Sequence, residues 1–325
     1  LANFKQLNAQ CEEIKEQQIL GDQLATRRHL EILACVDIVH VESSARGSNV
    51  WSLKHEQANL VLDQILASLW FPLVHDREES ILTAYHKTFE WVFRDPEESR
   101  KPWDSFTDFL QDAFSWTYWI SGKPGSGKST LMKFISRHPT TKHLLQKWAG
   151  GNDFVIAGFF FHHLGSDLQK SEVGAFRGLL YDILSQRRDL IQVAFPERFR
   201  ARSLSKGRPV LFEPTTIELK TALSTIIQDA PSTHLFLLVD GLDEFNADSA
   251  EMEVLVTALR SLSTLPNVKL LVSSRPWIVF ERTFEDCPRL DVHNLSRPDI
   301  ALFVTERFRQ HRRFWNLTPG HEIAV

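Results

Sequence analysis

Cysteine is scarce in this chain: Cys11, Cys35 and Cys287 are its only three in 325 residues, far apart and with no Cys-x-x-Cys pair. That spacing excludes a disulfide scaffold and a zinc ribbon, and it fits unpaired thiols in a reducing compartment. No metal-ligand cluster stands out. Long apolar runs are absent too, none approaching the roughly 20 residues that cross a bilayer, and no signal-peptide pattern opens the chain. The expected location is the cytoplasm, with no membrane span. Two glycosylation sequons, Asn294-Leu295-Ser296 and Asn316-Leu317-Thr318, then read as coincidence. Charge of one sign is also lacking. With a net charge of −4 no global field recruits nucleic acid, and basic clusters such as Arg312-Arg313 read as solvated surface. No internal repeat of about 20 to 50 residues is visible.

What is present is the composition of a globular protein, 43% hydrophobic and 24% charged. The length suffices for one large domain or two ordinary ones. The chain begins at Leu1 rather than Met and stops at Val325, just after a turn-like Thr318-Pro319-Gly320. We read it as a piece of something longer.

The informative stretch is Trp116 to Thr130, WTYWISGKPGSGKST. Gly122, Gly127, Lys128 and Ser129 satisfy G-x-x-x-x-G-K-[ST], after a β-prone run (Trp116, Tyr118, Ile120) and before a helix-like segment, Lys128 to Arg137. A loop that wraps phosphate must bring successive backbone N–H groups close to oxygens, and Gly122, Gly125 and Gly127 supply the freedom to do so. Gly122, Lys123, Pro124, Gly125, Ser126, Gly127, Lys128, Ser129 and Thr130 are therefore the candidate nucleotide-binding residues. Lys128 would reach the β- and γ-phosphates, and the Ser129 hydroxyl would ligate Mg²⁺. The bland alternative is a chance Gly/Ser/Lys loop.

Around that loop the chain falls into regions. Residues 1 to about 35 are polar and helix-prone, with Phe4, Leu7, Cys11 and Ile14 at heptad-like spacing, and an amphipathic helix is preferred over a coiled coil. Ser43 to Ser48 reads as a loop. From Glu56 to Trp70, and again over Ile81, Tyr85, Phe89, Val92 and Phe93, apolar residues share one helical face, predicting two helices joined by a Phe71-Pro72 turn and an acidic patch. Asp95-Pro96 and Lys101-Pro102 bracket a connection, and Phe106, Phe109, Leu110 and Phe114 predict a short amphipathic helix whose aromatics serve core packing rather than base stacking.

Beyond the loop, strands alternate with helices. Phe154 to Phe161 reads as a strand buried on both faces, ended by His162 and His163, to which no role is assigned. Leu235 to Val239, Val268 to Ser273 and Leu290 to Val292 supply further strands. Val173 to Leu184, Thr216 to Gln228 and Ala250 to Leu262 are helical in period, and Ala201 to Pro214 reads as a long loop. The expected fold is α/β, a P-loop NTPase with a parallel sheet sandwiched by helices and preceded by an α-helical N-terminal region. We divide it as 1–100 helical, 101–296 the nucleotide-binding domain, and 297–325 the start of a further helical region.

His234 to Phe245, HLFLLVDGLDEF, adds the second part of a site. An apolar strand ending in Asp240 delivers a Mg²⁺-binding carboxylate to the carboxyl edge of the sheet, opposite Ser129. Many strands also end in Asp for turn reasons. Asp243 and Glu244 follow, either able to orient or deprotonate an attacking water; a helix N-cap or a solvated turn is the alternative. Lys269 to Trp277, KLLVSSRPW, ends in Arg275, held by Pro276, which would sense or stabilise the γ-phosphate unless it forms a structural salt bridge. The catalytic candidates are Asp243, Glu244, Arg275 and Lys128; the metal candidates are Ser129 and Asp240.

GKPGSGKSTLMKFI, FFFHH, LLVDGLDEF and VKLLVSSRPW together resemble the NACHT group of STAND signalling NTPases, especially fungal proteins related to heterokaryon-incompatibility NTPases. ILTAYHKTFEWVF and DIALFVTERF extend the similarity to roughly Ile81 to Phe308. Gly241 directly follows Asp240 and the acids come later, as in NACHT proteins. The resemblance implies that the Val268 strand lies between the phosphate-loop strand and the Asp240 strand. It also implies a switch whose ATP- or GTP-bound form oligomerises and activates an attached effector. The winged-helix region and C-terminal sensor repeats usual there are absent, and the first 80 or so residues match no effector. The competing functions are a scaffold that binds nucleotide without turnover and a phosphotransferase. The latter lacks an acceptor motif, and no LSGGQ-like segment supports an ABC-type ATPase.

Overall fold

The computed structural model describes residues 50–85, 88–96, 103–112, 117–204 and 213–310. The helix expected over residues 1 to 35, the loop at 43–48, Phe114, Trp116 and the tail from 311 onward lie outside the described residues. The described residues divide into two compact units, one of 50–74 with Phe176–Ile226, the other of His75–Ala175 with 227–310.

The first unit is helical where described. Its longest helix, Val50–Leu69, spans the segment expected from the period of Val61, Ile65 and Leu69. Arg177 closes that helix: Nε donates to the Leu69 carbonyl at 3.2 Å, and one terminal nitrogen donates to Ser68 and Trp70 carbonyls at 3.0 and 2.9 Å. A cation suits a helix C-terminus, where carbonyls lack intrahelical partners. Residues 201–204, expected as loop, are the last turn of the helix Pro196–Leu204. Proline is favoured at the first helical position, and Arg198 pairs with Glu218 to hold the segment. Residues 205–212 lie outside the described residues.

The second unit is built on five parallel strands, β1 (Thr117–Ser121), β2 (Asp153–Phe160), β3 (Thr233–Asp240), β4 (Val268–Ser274) and β5 (Arg289–Asp291), in the order β2-β3-β4-β1-β5. The Val268 strand thus lies between the loop strand and the Asp240 strand, as the resemblance implied. β1 and β4 are buried along their whole length, as in a sheet covered on both faces. β2, expected to be buried on both faces, is an edge strand in which burial alternates, Val155 and Ala157 inside and Phe154 and Ile156 half-buried. Both faces are apolar all the same, and Phe154 and Ile156 pack against the core while keeping some exposure at the edge.

Helix Lys128–Arg137 has the predicted limits. Pro139–Ala149 was not expected as a helix although its punctuation is legible: Pro139 at the first position and Gly150 at φ +58° after the last. The predicted helix over 81–93 does not form. An acidic helix, Asp76–Ser80, precedes it, and only Glu90–Phe93 makes a 3-10 turn. Phe89 sits at φ +65°, which no helix accommodates, and its N–H donates to Asp299 Oδ2 at 3.0 Å beside Trp91 Nε1 at 2.7 Å. A tertiary acceptor replaces the helical one. The aromatics pack as core: Tyr118 lies edge-on to Phe106 with centroids 5.2 Å apart, and Phe109 meets Phe236. Among the described residues no helix is long and apolar enough to cross a membrane, and Cys287 is a free thiol.

Candidate functional site

The loop after β1 turns back on itself at the carboxyl edge of the sheet. Gly122 N–H donates to the Ser274 carbonyl at 3.2 Å, and a Cβ on Gly122 would stand 2.6 Å from Ser126 Oγ. A larger residue there would force the Ser126 hydroxyl to move. Gly127, at φ +92°, starts the Lys128–Arg137 helix, and a Cβ on it would meet the Phe89 ring at 3.2 Å. Lys123, Pro124 and Gly125 are exposed at the tip, whereas Ser126 is buried and its Oγ has no hydrogen-bond partner. Ser129 and Thr130 lie half-buried in the first helical turn. Lys128 Nζ bridges the loop, donating to the Gly122 carbonyl at 2.7 Å and the Lys123 carbonyl at 3.2 Å. Desolvation lowers its pKa, opposed by the carboxylates of Asp243, Asp240 and Glu244 and reinforced by Arg275. The charges of the other three catalytic candidates thus all bear on this one ammonium.

Asp240 ends β3 and is 1% exposed. Its carboxylate accepts a hydrogen bond from the Ser273 hydroxyl; burial raises its pKa, and the Ser129 and Ser273 hydroxyls counteract the rise. The two expected metal ligands are therefore near enough to influence one another. Ser273 also accepts the Gly241 N–H at 3.0 Å, and Gly241 at φ +72° turns the chain into the 3-10 turn Leu242–Glu244.

That turn commits both of its acids. Asp243, with a side chain 4% exposed, accepts the Arg275 N–H at 2.9 Å through Oδ1 and pairs with Arg275 Nε at 2.8 Å through Oδ2. The salt bridge weighed as the alternative for Arg275 is thus present. Glu244 Oε2 accepts the His163 N–H at 3.0 Å, and Oε1 lies 3.6 Å from an Arg77 nitrogen. His162 has its pKa lowered by desolvation, with the Arg77 charge adding to the effect.

Sequence reasoning had not singled out Ser273, Phe89 or Arg77. Paired serines at the end of an apolar strand were a legible signal for Ser273, which is fully buried. Nothing distinguishes Arg77 among the charges around it.

The site offers features that suit a polyphosphate: an orphaned buried hydroxyl on Ser126, open space around Gly125, and an ammonium at the loop's mouth. The Ser129 hydroxyl in the first turn after the loop and the buried Asp240 carboxylate are oxygen donors that suit Mg²⁺, which takes few protein oxygens and completes its shell with water and phosphate. No group of three or more His, Cys, Asp or Glu among the described residues forms an independent metal cage.

No curated protein matches the chain. The family model described as Nephrocystin 3, N-terminal matches residues 87–275, from just before Phe89 through Arg275. It takes in the loop, the Asp240 strand and the acidic turn. With more than half of its length matched, the chain belongs to the Nephrocystin 3, N-terminal family, a NACHT-associated family with a P-loop NTPase-like fold.

Proposed function

We propose that the protein is a nucleotide-dependent signalling switch that binds ATP or GTP with Mg²⁺ and hydrolyses it slowly. The observation that carries this reading is the convergence of the glycine loop, closed by Lys128 Nζ, and the buried Asp240 carboxylate at the carboxyl edge of one parallel sheet, where open α/β folds bind their ligands. Lys128, now holding two loop carbonyls, exchanges them for phosphate oxygens. Ser129 and Asp240 would hold Mg²⁺, which when bound neutralises charge on the β- and γ-phosphates. Arg275, tethered by Asp243, presents its remaining donors to the terminal phosphate from the end of β4.

Slow turnover follows from the acidic turn. An attacking water needs an acceptor position on one of these acids, yet each Asp243 oxygen already carries one bond to Arg275 and Glu244 Oε2 carries the His163 N–H, which leaves fewer positions open and fixes the direction of approach. The same observation favours the second reading, a nucleotide-binding scaffold that does not hydrolyse. A phosphotransferase gains no support. Nucleotide-gated homo-oligomerisation, a cytoplasmic location, the division at residues 100 and 296, and an effector outside this chain, such as one for nonself recognition or cell death in fungi, are carried over from the sequence and its resemblance.

A single-turnover assay with labelled ATP and, separately, GTP plus Mg²⁺ tests the reading, following bound nucleotide and released phosphate together. Tight binding of one nucleotide with slow release is expected. Lys128→Ala should weaken triphosphate binding at least about tenfold, the loss of a charge-assisted contact. Unchanged affinity would sink the phosphate-loop assignment. Rapid multiple turnover would point to an enzyme instead.

A further inference from the structure

We propose that Arg77 is a further phosphate-binding residue of this site, taking an oxygen of the terminal phosphate of a bound nucleoside triphosphate. The inference rests on the nucleotide reading above. Arg77 lies upstream of the segment that the family model matches, on the short helix Asp76–Ser80.

The helix is fastened to the element that begins at the loop. Lys133, 6% exposed, donates through Nζ to the Glu79 carbonyl at 3.2 Å and the Ile81 carbonyl at 2.6 Å. Arg137, four residues further along the same helix, pairs with Glu78 at 2.8 Å. Lys133 and Arg137 thus tie Arg77 mechanically to the helix that carries Lys128 and Ser129. Such anchoring holds a guanidinium within the tolerance that phosphate recognition requires.

The head group of Arg77 is underused where it stands. Its contact with Glu244 is long at 3.6 Å, and its Nε is shielded from solvent with no hydrogen-bond partner. A buried donor without an acceptor is costly to keep, and a guanidinium has five donors arranged for bidentate oxygen pairs. Glu244, which Arg77 faces, accepts the His163 N–H with its other oxygen, which places Arg77 on the flank of the site at the end of β2. Two guanidinium–carboxylate pairs therefore border the acidic turn, Arg275 on Asp243 and Arg77 on Glu244. The first is short and doubly bonded, the second loose. A terminal phosphate offers Arg77 stronger acceptors than the distant Glu244 oxygen, and taking them releases one side of Glu244. Arg77 then distinguishes triphosphate from diphosphate.

The test measures dissociation constants, on the whole chain with Mg²⁺, for non-hydrolysable triphosphates and for diphosphates of adenosine and guanosine. Arg77→Gln should weaken triphosphate binding about tenfold, as expected for one charge-assisted hydrogen bond, and change diphosphate binding less than about twofold. Glu244→Gln, which frees Arg77 from its pair, should tighten triphosphate binding. Equal weakening of both nucleotides by Arg77→Gln, or the same loss from Glu244→Gln, overturns the proposal and leaves Arg77 as a prop for Glu244. If Arg77→Gln fails to fold, Arg77→Lys decides. It keeps the charge without the fork and should lose part of the triphosphate preference, and an undiminished preference overturns the proposal. Wild-type protein that binds neither nucleotide overturns the nucleotide reading and this inference with it. Binding that is lost in Lys128→Ala but indifferent to Arg77 removes this inference alone.

Discussion

Asp240 ends β3 and Asp243 lies in the 3-10 turn that follows it, and the structure uses them differently. Asp240 is buried and accepts the Ser273 hydroxyl, whereas Asp243 turns both oxygens toward Arg275. Asp243→Asn should keep triphosphate binding and slow phosphate release, since an amide can retain the Arg275 N–H bond but not the charge. Stability should also fall by about 1–3 kcal/mol, the usual range for a lost bond to a charged partner, readable by urea denaturation. Wild-type turnover in this variant would move the water-orienting role to Glu244. Lys269, distant in chain position from the acidic turn, makes a pH prediction. Its ammonium is fully buried, donating to the Phe109 and Asp112 carbonyls at 2.5 and 2.7 Å, and desolvation lowers its pKa from 10.5 to about 7. Between those values the unfolded chain binds more protons than the folded one, so this group makes stability rise with pH from about 7 toward 10 and adds no slope below. Lys269→Met should flatten that rise relative to wild type in denaturation curves taken across the range. An unchanged slope would mean that the ammonium stays charged.

Among the elements, the segment 81–93 shows how a tertiary partner overrides a periodic pattern. Its apolar residues do become core, with Ile81, Phe89 and Val92 buried, but without the helix that their spacing predicts. Asp299, in the helix Arg297–Gln310, takes the Phe89 N–H and the Trp91 indole N–H together, and the Phe89 ring rests against Gly127. Asp299→Ala strands two donors and should cost about 1–3 kcal/mol. Trp91 emission should change in the same variant. If both stability and emission match wild type, the two hydrogen bonds contribute nothing to holding the segment. Helix Lys128–Arg137, by contrast, forms where its sequence predicts because glycine ends the loop and the helix buries Leu131, Met132 and Ile135.

At the scale of the molecule, every residue placed in the site belongs to the unit formed by residues 75–175 and 227 onward. A ligand bound there stabilises the folded form by mass action, about 2.7 kcal/mol at a hundredfold excess over its dissociation constant. ATP or GTP with Mg²⁺ should therefore raise the apparent Tm of the wild-type chain. Lys128→Ala should show a smaller rise at the same concentration, and equal shifts in the two proteins would place the nucleotide elsewhere. The sequence alone determined the parallel α/β sheet, the glycine loop and the strand-borne Asp240, because these depend on local spacing: apolar runs of strand length, glycines where backbones must close up, and a carboxylate at a strand end. Tertiary structure decided what proximity makes, and no local pattern encodes that. The sheet order makes β2 an edge, Asp299 replaces a helical hydrogen bond at Phe89, Asp243 is paired rather than free, and Arg77 reaches the site from some fifty residues before Lys128. Each of these depends on desolvation and on a partner supplied by a distant part of the chain, and both exist only once the chain has folded.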